Sequence, residues 1–151
     1  MIAAVKSGKV ASYVTDFITD DLVGVDERII CIPHLGASTE ESEDKCAVMA
    51  AREIAEYLEN GNITHSVNFP DVSLPHNGDA RLCLMHKNVA GMLSKISTAI
   101  AEAGVNIENM INRSRGNYAY TVVEVIGGIP DGVAEKLSAL DGMIKIRVIG
   151  K

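Results

Sequence analysis

The feature that most constrains the fold is a repeated strand, helix and strand pattern in the second half of the chain. The short apolar run 81–86 predicts a strand. Residues 91–104 place apolar side chains at helical spacing and end on a glycine, as many helices do. Residues 105–115 and 118–127 predict two strands joined by a two-residue Gly-Asn turn.

The same pattern continues to the end of the chain. Residues 130–142 predict a second helix with a proline near its start, and 144–150 alternate as a half-buried strand does. The order β-α-β-β-α-β predicts a ferredoxin-like α+β domain, in which two helices cover one face of a four-stranded antiparallel sheet. Val122, with Cys83 or Met85, would then face water on the other face, so a further sheet, helix or subunit is expected to cover it.

The first half predicts only a part of an α/β domain. Residues 9–17 and 28–33 are apolar strand candidates, and continuous apolar strands belong in sheets that are covered on both faces. This half has too few helices to supply that cover. We therefore expect residues 1–69 to be the end of a larger domain, with Met1 not its natural beginning. The stretch 70–79, with two prolines and an Asn-Gly pair, is expected to link it to a domain at 80–151.

One long helix is predicted in the first half. Ser38 and Glu41 have the spacing of a capping box, and acidic residues follow in the first turns. The helix is expected to end near Asn60, with Gly61 as its stop. Its predicted apolar face comprises Ala47, Ala50, Ile54 and Leu58, flanked by Cys46, Met49 and Tyr57.

The composition of the chain argues against several classes of binding partner. The net charge is −6, with a pI near 5.1 and no block of Lys or Arg, which argues against nucleic acid and anionic membranes. No apolar run reaches the roughly 20 residues of a membrane helix, and no signal peptide is evident, so we expect a cytoplasmic protein. Cys31, Cys46 and Cys83 show no C-x-x-C spacing, which predicts buried, reduced thiols and no metal site.

Three motifs add a family resemblance. "GKVASYVTDF", "IPHLGAST" and "NFPDVSLP", followed by the β-α-β-β-α-β unit, resemble the C-terminal part of the D-3-phosphoglycerate dehydrogenase family. The resemblance implies that 80–151 is an ACT regulatory domain and that 1–69 is a remnant of a Rossmann-type catalytic region. It also implies NAD-dependent oxidation of 3-phosphoglycerate in serine biosynthesis, homo-oligomers and feedback inhibition by serine.

The resemblance gives His34 of "IPHLGAST" the role of general acid/base, for which imidazole suits a working pH near its ordinary pKa of about 6.5. It implies a carboxylate partner at Asp20, although Asp21 is adjacent and stays an alternative. A nicotinamide site needs a G-x-G-x-x-G turn, and the sequence contains none. NAD is therefore expected in the full-length parent, and no cofactor binding or dehydrogenase activity is expected of this chain alone.

The resemblance also implies a serine site. His86 and Asn88 match the family's loop motif, and Asn106 matches the asparagine after the first helix of the domain. These residues would bind L-serine, or another small amino acid, between the ACT domains of two chains. Ala90 stands where the family usually has proline. Two alternatives remain: the asparagines are only turn and cap residues, or the chain is a free-standing ACT sensor or oligomerisation module without catalysis.

Overall fold

The computed structural model describes residues 1–150, which form two compact units, one from Met1 to Val48 and one from Met49 onward. Lys151, the last residue of the predicted domain 80–151, lies outside the described residues. The predicted domain boundary at 70–79 is a separate matter from these two units, and it stays a prediction. Residues 49–79 nevertheless share the second unit with the sheet that follows them.

The first unit contains a short helix and two short parallel strands. Its elements are α1 (Ile2–Lys6), β1 (Tyr13–Thr15) and β2 (Ile29–Cys31). Both strands lie inside the predicted ranges 9–17 and 28–33 but are shorter. The Thr15 hydroxyl accepts the backbone N–H of Phe17, which turns the chain directly after β1. The helix α1 was not predicted from the sequence.

The core of the first unit is small and one face of its sheet is open. Val5, Leu22 and Ile29 are buried together. Val14 and Ile30 are paired across the two strands, yet they are 55% and 48% exposed. Apolar residues paired at the middle of a sheet are usually covered, so this face is incomplete in the residues described.

The long helix α2 (Glu40–Asn60) confirms the predicted element but corrects its cap and its burial. The Thr39 hydroxyl, rather than that of Ser38, accepts an N–H of the first turn, from Ser42. Ser38 instead closes a turn by donating its own N–H to the carbonyl of Leu35. No residue within Glu40–Asn60 is buried. Cys46 is exposed for that reason, and the prediction that it is buried was wrong.

The second unit contains the predicted ferredoxin-like fold. Its elements are β3 (Ala80–Lys87), α3 (Met92–Glu102), β4 (Asn106–Arg115), β5 (Tyr118–Ile126), α4 (Val133–Ser138) and β6 (Met143–Gly150). The antiparallel sheet has the order β4-β5-β3-β6, and Gly116 and Asn117 form the predicted two-residue turn. The helix α4 is shorter than the predicted 130–142 because a turn, from the N–H of Val133 to the carbonyl of Pro130, precedes it.

The two faces of this sheet are covered differently. On the first face, buried residues of α3 and α4 form one core cluster with those of the strands, which includes Ile96, Leu137 and Leu84. On the second face, Cys83, Tyr120 and Val122 lie beneath residues from the end of α2 and the segment that follows it. The expectation of a cover for this face is confirmed, and the same chain supplies it.

Arginine side chains of the sheet hold the end of α2. The last carbonyl groups of a helix have no partner within it and carry the negative end of its dipole. The guanidinium of Arg147 on β6 donates to the carbonyls of Tyr57 and Leu58 and lies 4.5 Å from the centre of the Tyr57 ring. The helix end is therefore fixed to the sheet by hydrogen bonds and a cation–π contact.

A buried ion pair holds the segment that follows α2 against the sheet. Arg81 on β3 and Glu124 on β5 are fully buried, and Nη2 of Arg81 lies 2.7 Å from Oε1 of Glu124. Arg81 also donates to the carbonyls of Asn60 and Leu74, while Glu124 accepts the backbone N–H of Asn77. The pair thus connects the sheet to the end of α2 and to the predicted linker, which packs closely here.

The ion pair should make the stability of the second unit depend on pH in the acidic range. Burial alone would raise the pKa of Glu124, but the hydrogen bonds from Arg81 and from the N–H of Asn77 outweigh burial and lower it. A lowered pKa in the folded state stabilises the protein above the ordinary glutamate pKa of about 4.3, and this contribution is lost as the pH falls through the folded-state pKa.

Urea unfolding measured between about pH 6 and pH 2 tests this pH dependence of the stability. The difference in free energy of unfolding between the wild type and Glu124→Gln is expected to shrink steadily with falling pH. A difference that stays constant across this range would contradict the assignment.

Candidate functional site

A hollow of about 330 Å³ opens at the loop that carries the predicted serine motif. The hollow lies where β3 ends and the chain turns towards α3. It is lined by Lys87, Asn88, Val89, Asn117 and Tyr118. One of the three predicted serine-binding residues, Asn88, is thus part of a cavity wall.

The backbone and side chain of Asn88 are both held against the β4–β5 turn. Its backbone N–H donates to the carbonyl of Asn117 at 2.8 Å, and its side-chain Nδ2 donates to the carbonyl of Gly116 at 3.1 Å. Because the amide nitrogen is used in this way, the carbonyl oxygen Oδ1 of Asn88 is the atom that can accept a donor from a ligand.

His86 lies behind the hollow and not in its wall. Its side chain is almost fully buried, with 2% exposed. Nε2 lies 2.8 Å from the hydroxyl of Thr121 and Nδ1 lies 2.9 Å from the carbonyl of Lys87. Both ring nitrogens therefore have partners within the chain, and the ring supports the strand end that leads into Asn88. Its predicted direct contact with serine stays a prediction.

Asn106 lies at the opposite end of the sheet. It is the first residue of β4 and pairs with Ile126, whereas His86 pairs with Ala119. At about 3.3 Å per strand residue, the stretch from Ala119 to Ile126 spans roughly 23 Å. A single chain therefore does not bring Asn106 to Asn88, and any site that contains both must include two chains.

The start of α3 adds donors near the hollow. Gly91 precedes the helix and no side chain caps the first turn, so its first backbone N–H groups have no partner from a capping residue. Such N–H groups favour an anion, for example a carboxylate. Ala90 lies just before them, in the same loop as Asn88.

In the first unit, His34 is near a carboxylate that the sequence did not indicate. Nδ1 of His34 lies 3.1 Å from Oδ2 of Asp16, and the Phe17 ring packs edge-on against the imidazole with a centroid distance of 4.9 Å. The parallel register could have shown this, because β1 and β2 end together at Thr15 and Cys31 and their continuations meet at the same sheet edge. Asp20 is exposed, and its role as the partner of His34 in catalysis stays a prediction.

Two features are absent from the residues that the structure describes. Within 1–150, no group of three or more His, Cys, Asp or Glu side chains is arranged to hold a metal ion. None of the helices over this same stretch has the length and apolar character needed to cross a membrane.

Comparison with known protein families identifies the kind of domain in the second unit. The family model described as "ACT domain" matches residues 82–142, which run from within β3 to just past α4 and include the loop with Asn88. The ferredoxin-like sheet order and this match together define the class: the chain carries an ACT domain.

Curated relatives extend the likeness to almost the whole chain. D-3-phosphoglycerate dehydrogenase of Haemophilus influenzae is 32% identical over 157 aligned residues, covering 97% of this chain and 38% of that protein. The Escherichia coli enzyme of the same name is 32% identical over 82% of this chain and 30% of its own length. D-3-phosphoglycerate dehydrogenase 2 of Saccharomyces cerevisiae is 31% identical over 87% of the chain and 29% of its own length. The chain is thus a homologue of the D-3-phosphoglycerate dehydrogenases that spans well under half of their length.

Partial matches to solved structures include two ACT domains. The ACT domain of GTP pyrophosphokinase from Chlorobium tepidum is 15% identical, with a TM-score of 0.42 over 46% of this chain and 95% of that one. An ACT domain protein from Streptococcus pneumoniae is 19% identical, with a TM-score of 0.40 over 47% of this chain and 86% of that one.

Proposed function

We propose that this chain is the C-terminal regulatory portion of an NAD-dependent D-3-phosphoglycerate dehydrogenase and that its ACT domain binds L-serine between two copies of the chain. The homology to D-3-phosphoglycerate dehydrogenases over most of the chain supports the first part. The hollow at Asn88, together with the separate position of Asn106, carries the second part.

The first unit supplies one catalytic group in this proposal. His34 acts as the general acid/base that takes the hydroxyl proton of 3-phosphoglycerate, and NAD, bound by parts of the parent outside this chain, would supply the hydride acceptor. The carboxylate of Asp16, 3.1 Å from Nδ1, can accept a hydrogen bond from this nitrogen and so orient the ring. The open faces of Val14 and Ile30 support a larger catalytic domain around these residues in the parent.

The serine site follows from the chemistry of a small zwitterion. The ammonium group and hydroxyl of serine are donors, and Oδ1 of Asn88 is an acceptor. The carboxylate of serine suits the N–H groups at the start of α3. Most homodimers have a two-fold axis. Asn106 of the second copy completes the site when such an axis places opposite sheet ends side by side.

L-Serine is expected to raise the melting temperature and the dimer fraction of the chain together. A ligand held between two copies stabilises the folded dimer by mass action, and the effect grows with ligand concentration. Differential scanning fluorimetry and sedimentation velocity, with L-serine, D-serine and glycine at millimolar concentration, measure both effects.

The controls separate binding from stability. Asn106→Ala is expected to abolish the response, since an unpaired buried group at the ligand costs about 1–3 kcal/mol. Asn68→Ala, an equally exposed asparagine outside the hollow, should respond as the wild type does. Absence of any response to L-serine, or an unchanged response in Asn106→Ala, would refute the serine assignment.

A further inference from the structure

A loop after α2 is held by one arginine of the ACT sheet. The loop comprises residues 66–69, and the arginine is Arg115, the last residue of β4. Nη1 of Arg115 donates to the carbonyl of Ser66 at 2.9 Å and to that of Val67 at 3.0 Å. The carbonyl of Phe69 lies 3.5 Å from the same nitrogen. Several carbonyl groups of the loop therefore converge on a single guanidinium nitrogen.

The loop has a folded shape of its own that presents these carbonyl groups. The Ser66 hydroxyl accepts the backbone N–H groups of Asn68 and Phe69, at 3.3 Å and 3.1 Å. A serine hydroxyl that binds backbone groups a few residues ahead closes a tight turn. With N–H groups bound to Ser66 and carbonyl groups bound to Arg115, the loop has partners for both kinds of backbone group.

Arg115 directly precedes the turn that holds Asn88. Gly116 and Asn117 form this turn, and their carbonyl groups accept the side-chain and backbone N–H groups of Asn88. Because the turn has only two residues, the positions of its carbonyl groups depend on where β4 ends. The contact of Arg115 with the loop 66–69 therefore bears on the position of Asn88.

A ring contact joins the same two parts of the chain. Tyr118 follows the turn, pairs with Arg115 across the hairpin and lines the hollow at Asn88. Its ring centre lies 6.5 Å from that of Phe69, a distance typical of aromatic pairs. The loop thus meets the surroundings of the hollow at two points, the guanidinium of Arg115 and the ring of Tyr118.

We propose that Arg115 is a positioning residue of the site at Asn88 and couples this site to the loop 66–69, an inference that rests on the serine site proposed above. While the loop is in place, it holds the end of β4, and the turn carbonyls hold Asn88 with its Oδ1 available to the ligand. When the loop leaves the sheet, the turn loses this support. Coupling is reciprocal, so a ligand at Asn88 stabilises the loop as much as the loop stabilises the ligand.

Amide hydrogen exchange of the whole chain without ligand, followed by NMR, tests the positioning role. Arg115→Met keeps an apolar stem but removes the donors to the loop. It is expected to speed exchange at the Asn88 and Phe69 amides at least about fivefold, while the β3 amides of Leu82 and Leu84 keep their wild-type rates. A residue that only stabilises the fold would instead speed exchange at all four amides through global unfolding.

A matched control uses the neighbouring arginine of the same strand. Arg113 lies two residues before Arg115 on β4 and is exposed. Arg113→Met removes the same charge and should leave exchange at Asn88 and Phe69 unchanged. Wild-type exchange at Asn88 in Arg115→Met, or an equal effect of Arg113→Met, would overturn the proposal.

Titration of the same variants with L-serine tests the coupling. Arg115→Met is expected to raise the Kd at least about fivefold, whereas Arg115→Lys, whose ammonium can donate to two carbonyls from one nitrogen, should stay within about twofold of the wild type. Bound L-serine should slow exchange at Phe69 in the wild type and not in Arg115→Met; an equal slowing in both would overturn the coupling. If L-serine does not bind even the wild type, the serine assignment fails by itself, and the exchange without ligand still decides whether Arg115 positions Asn88.

Discussion

Replacing Glu124 with glutamine is expected to lower the free energy of unfolding of the second unit by about 3–5 kcal/mol. The substitution keeps the shape of the side chain but removes the charge that faces Arg81. Both side chains are fully buried, so the guanidinium would remain in the interior without its counter-ion. Urea unfolding followed by circular dichroism measures the change.

The control uses an exposed ion pair of the same chain. Glu102 and Lys136 also form a salt bridge, but both side chains are more than half exposed to solvent. Glu102→Gln is expected to change the free energy of unfolding by at most about 1 kcal/mol, because water screens the pair. If Glu124→Gln costs no more than Glu102→Gln, the buried pair does not hold the α2 end and the following segment on the sheet.

Replacing Gly61 with alanine is expected to cost about 2–5 kcal/mol, from two causes. Gly61 has a φ of +70°, where an L side chain loses roughly 1–2 kcal/mol. A Cβ atom there would also lie 2.2 Å from the Sγ atom of the buried Cys83 and 3.4 Å from the Tyr120 hydroxyl, which donates to the Gly61 carbonyl. Forcing extra volume into a packed site costs roughly 1–3 kcal/mol more.

Gly104→Ala separates strain from crowding. Gly104 has nearly the same φ, +72°, but no atom lies within 4 Å of its Cβ position. It should show only the strain, about 1–2 kcal/mol. Removing the Cys83 sulfur as well, in Gly61→Ala with Cys83→Ala, should recover part of the loss. Equal costs for the Gly61 and Gly104 variants would contradict the close contact between Gly61 and the sheet.

The ACT fold could be predicted because its signals are local. Strand alternation, helical spacing and a Gly-Asn turn each involve neighbours in sequence, and they agree along β3 to β6. The ends of α4 were less certain, since a turn at Pro130 takes residues that the helical pattern would have included.

The buried pair could not be predicted, because its burial depends on distant parts of the chain. Arg81 and Glu124 lie on the second face of the sheet, where charged residues usually face water. The segment from Asn60 to Asn77 covers them, and nothing local in the sequence indicates that it does. The partner of His86 is likewise distant in sequence, since its Nε2 lies 2.8 Å from the hydroxyl of Thr121 on a different strand.

The candidate catalytic group was predicted from a motif, and its neighbour was missed. The motif identifies His34, and the family resemblance implies Asp20 as its partner, with Asp21 as the alternative. The structure brings Asp16 to the imidazole through the parallel pairing of β1 and β2, a relation between strands that are separate in sequence. The nearness of Asp16 to His34 depends on the register between two strands, and a motif within one strand does not contain that register.

The central claim is that two ACT domains share one serine site. The measurement that tests it most directly is complementation between two variants that each fail to bind L-serine. Asn88→Ala and Asn106→Ala are prepared separately, and L-serine binding is measured by isothermal titration for each variant and for their equimolar mixture after exchange of subunits. If each site combines Asn88 of one copy with Asn106 of the other, neither variant alone binds. The mixed dimer, however, retains one intact site, so the mixture is expected to recover binding in about half of its dimers at roughly one serine per mixed dimer. A mixture that binds no better than either variant would contradict a serine site shared between two ACT domains.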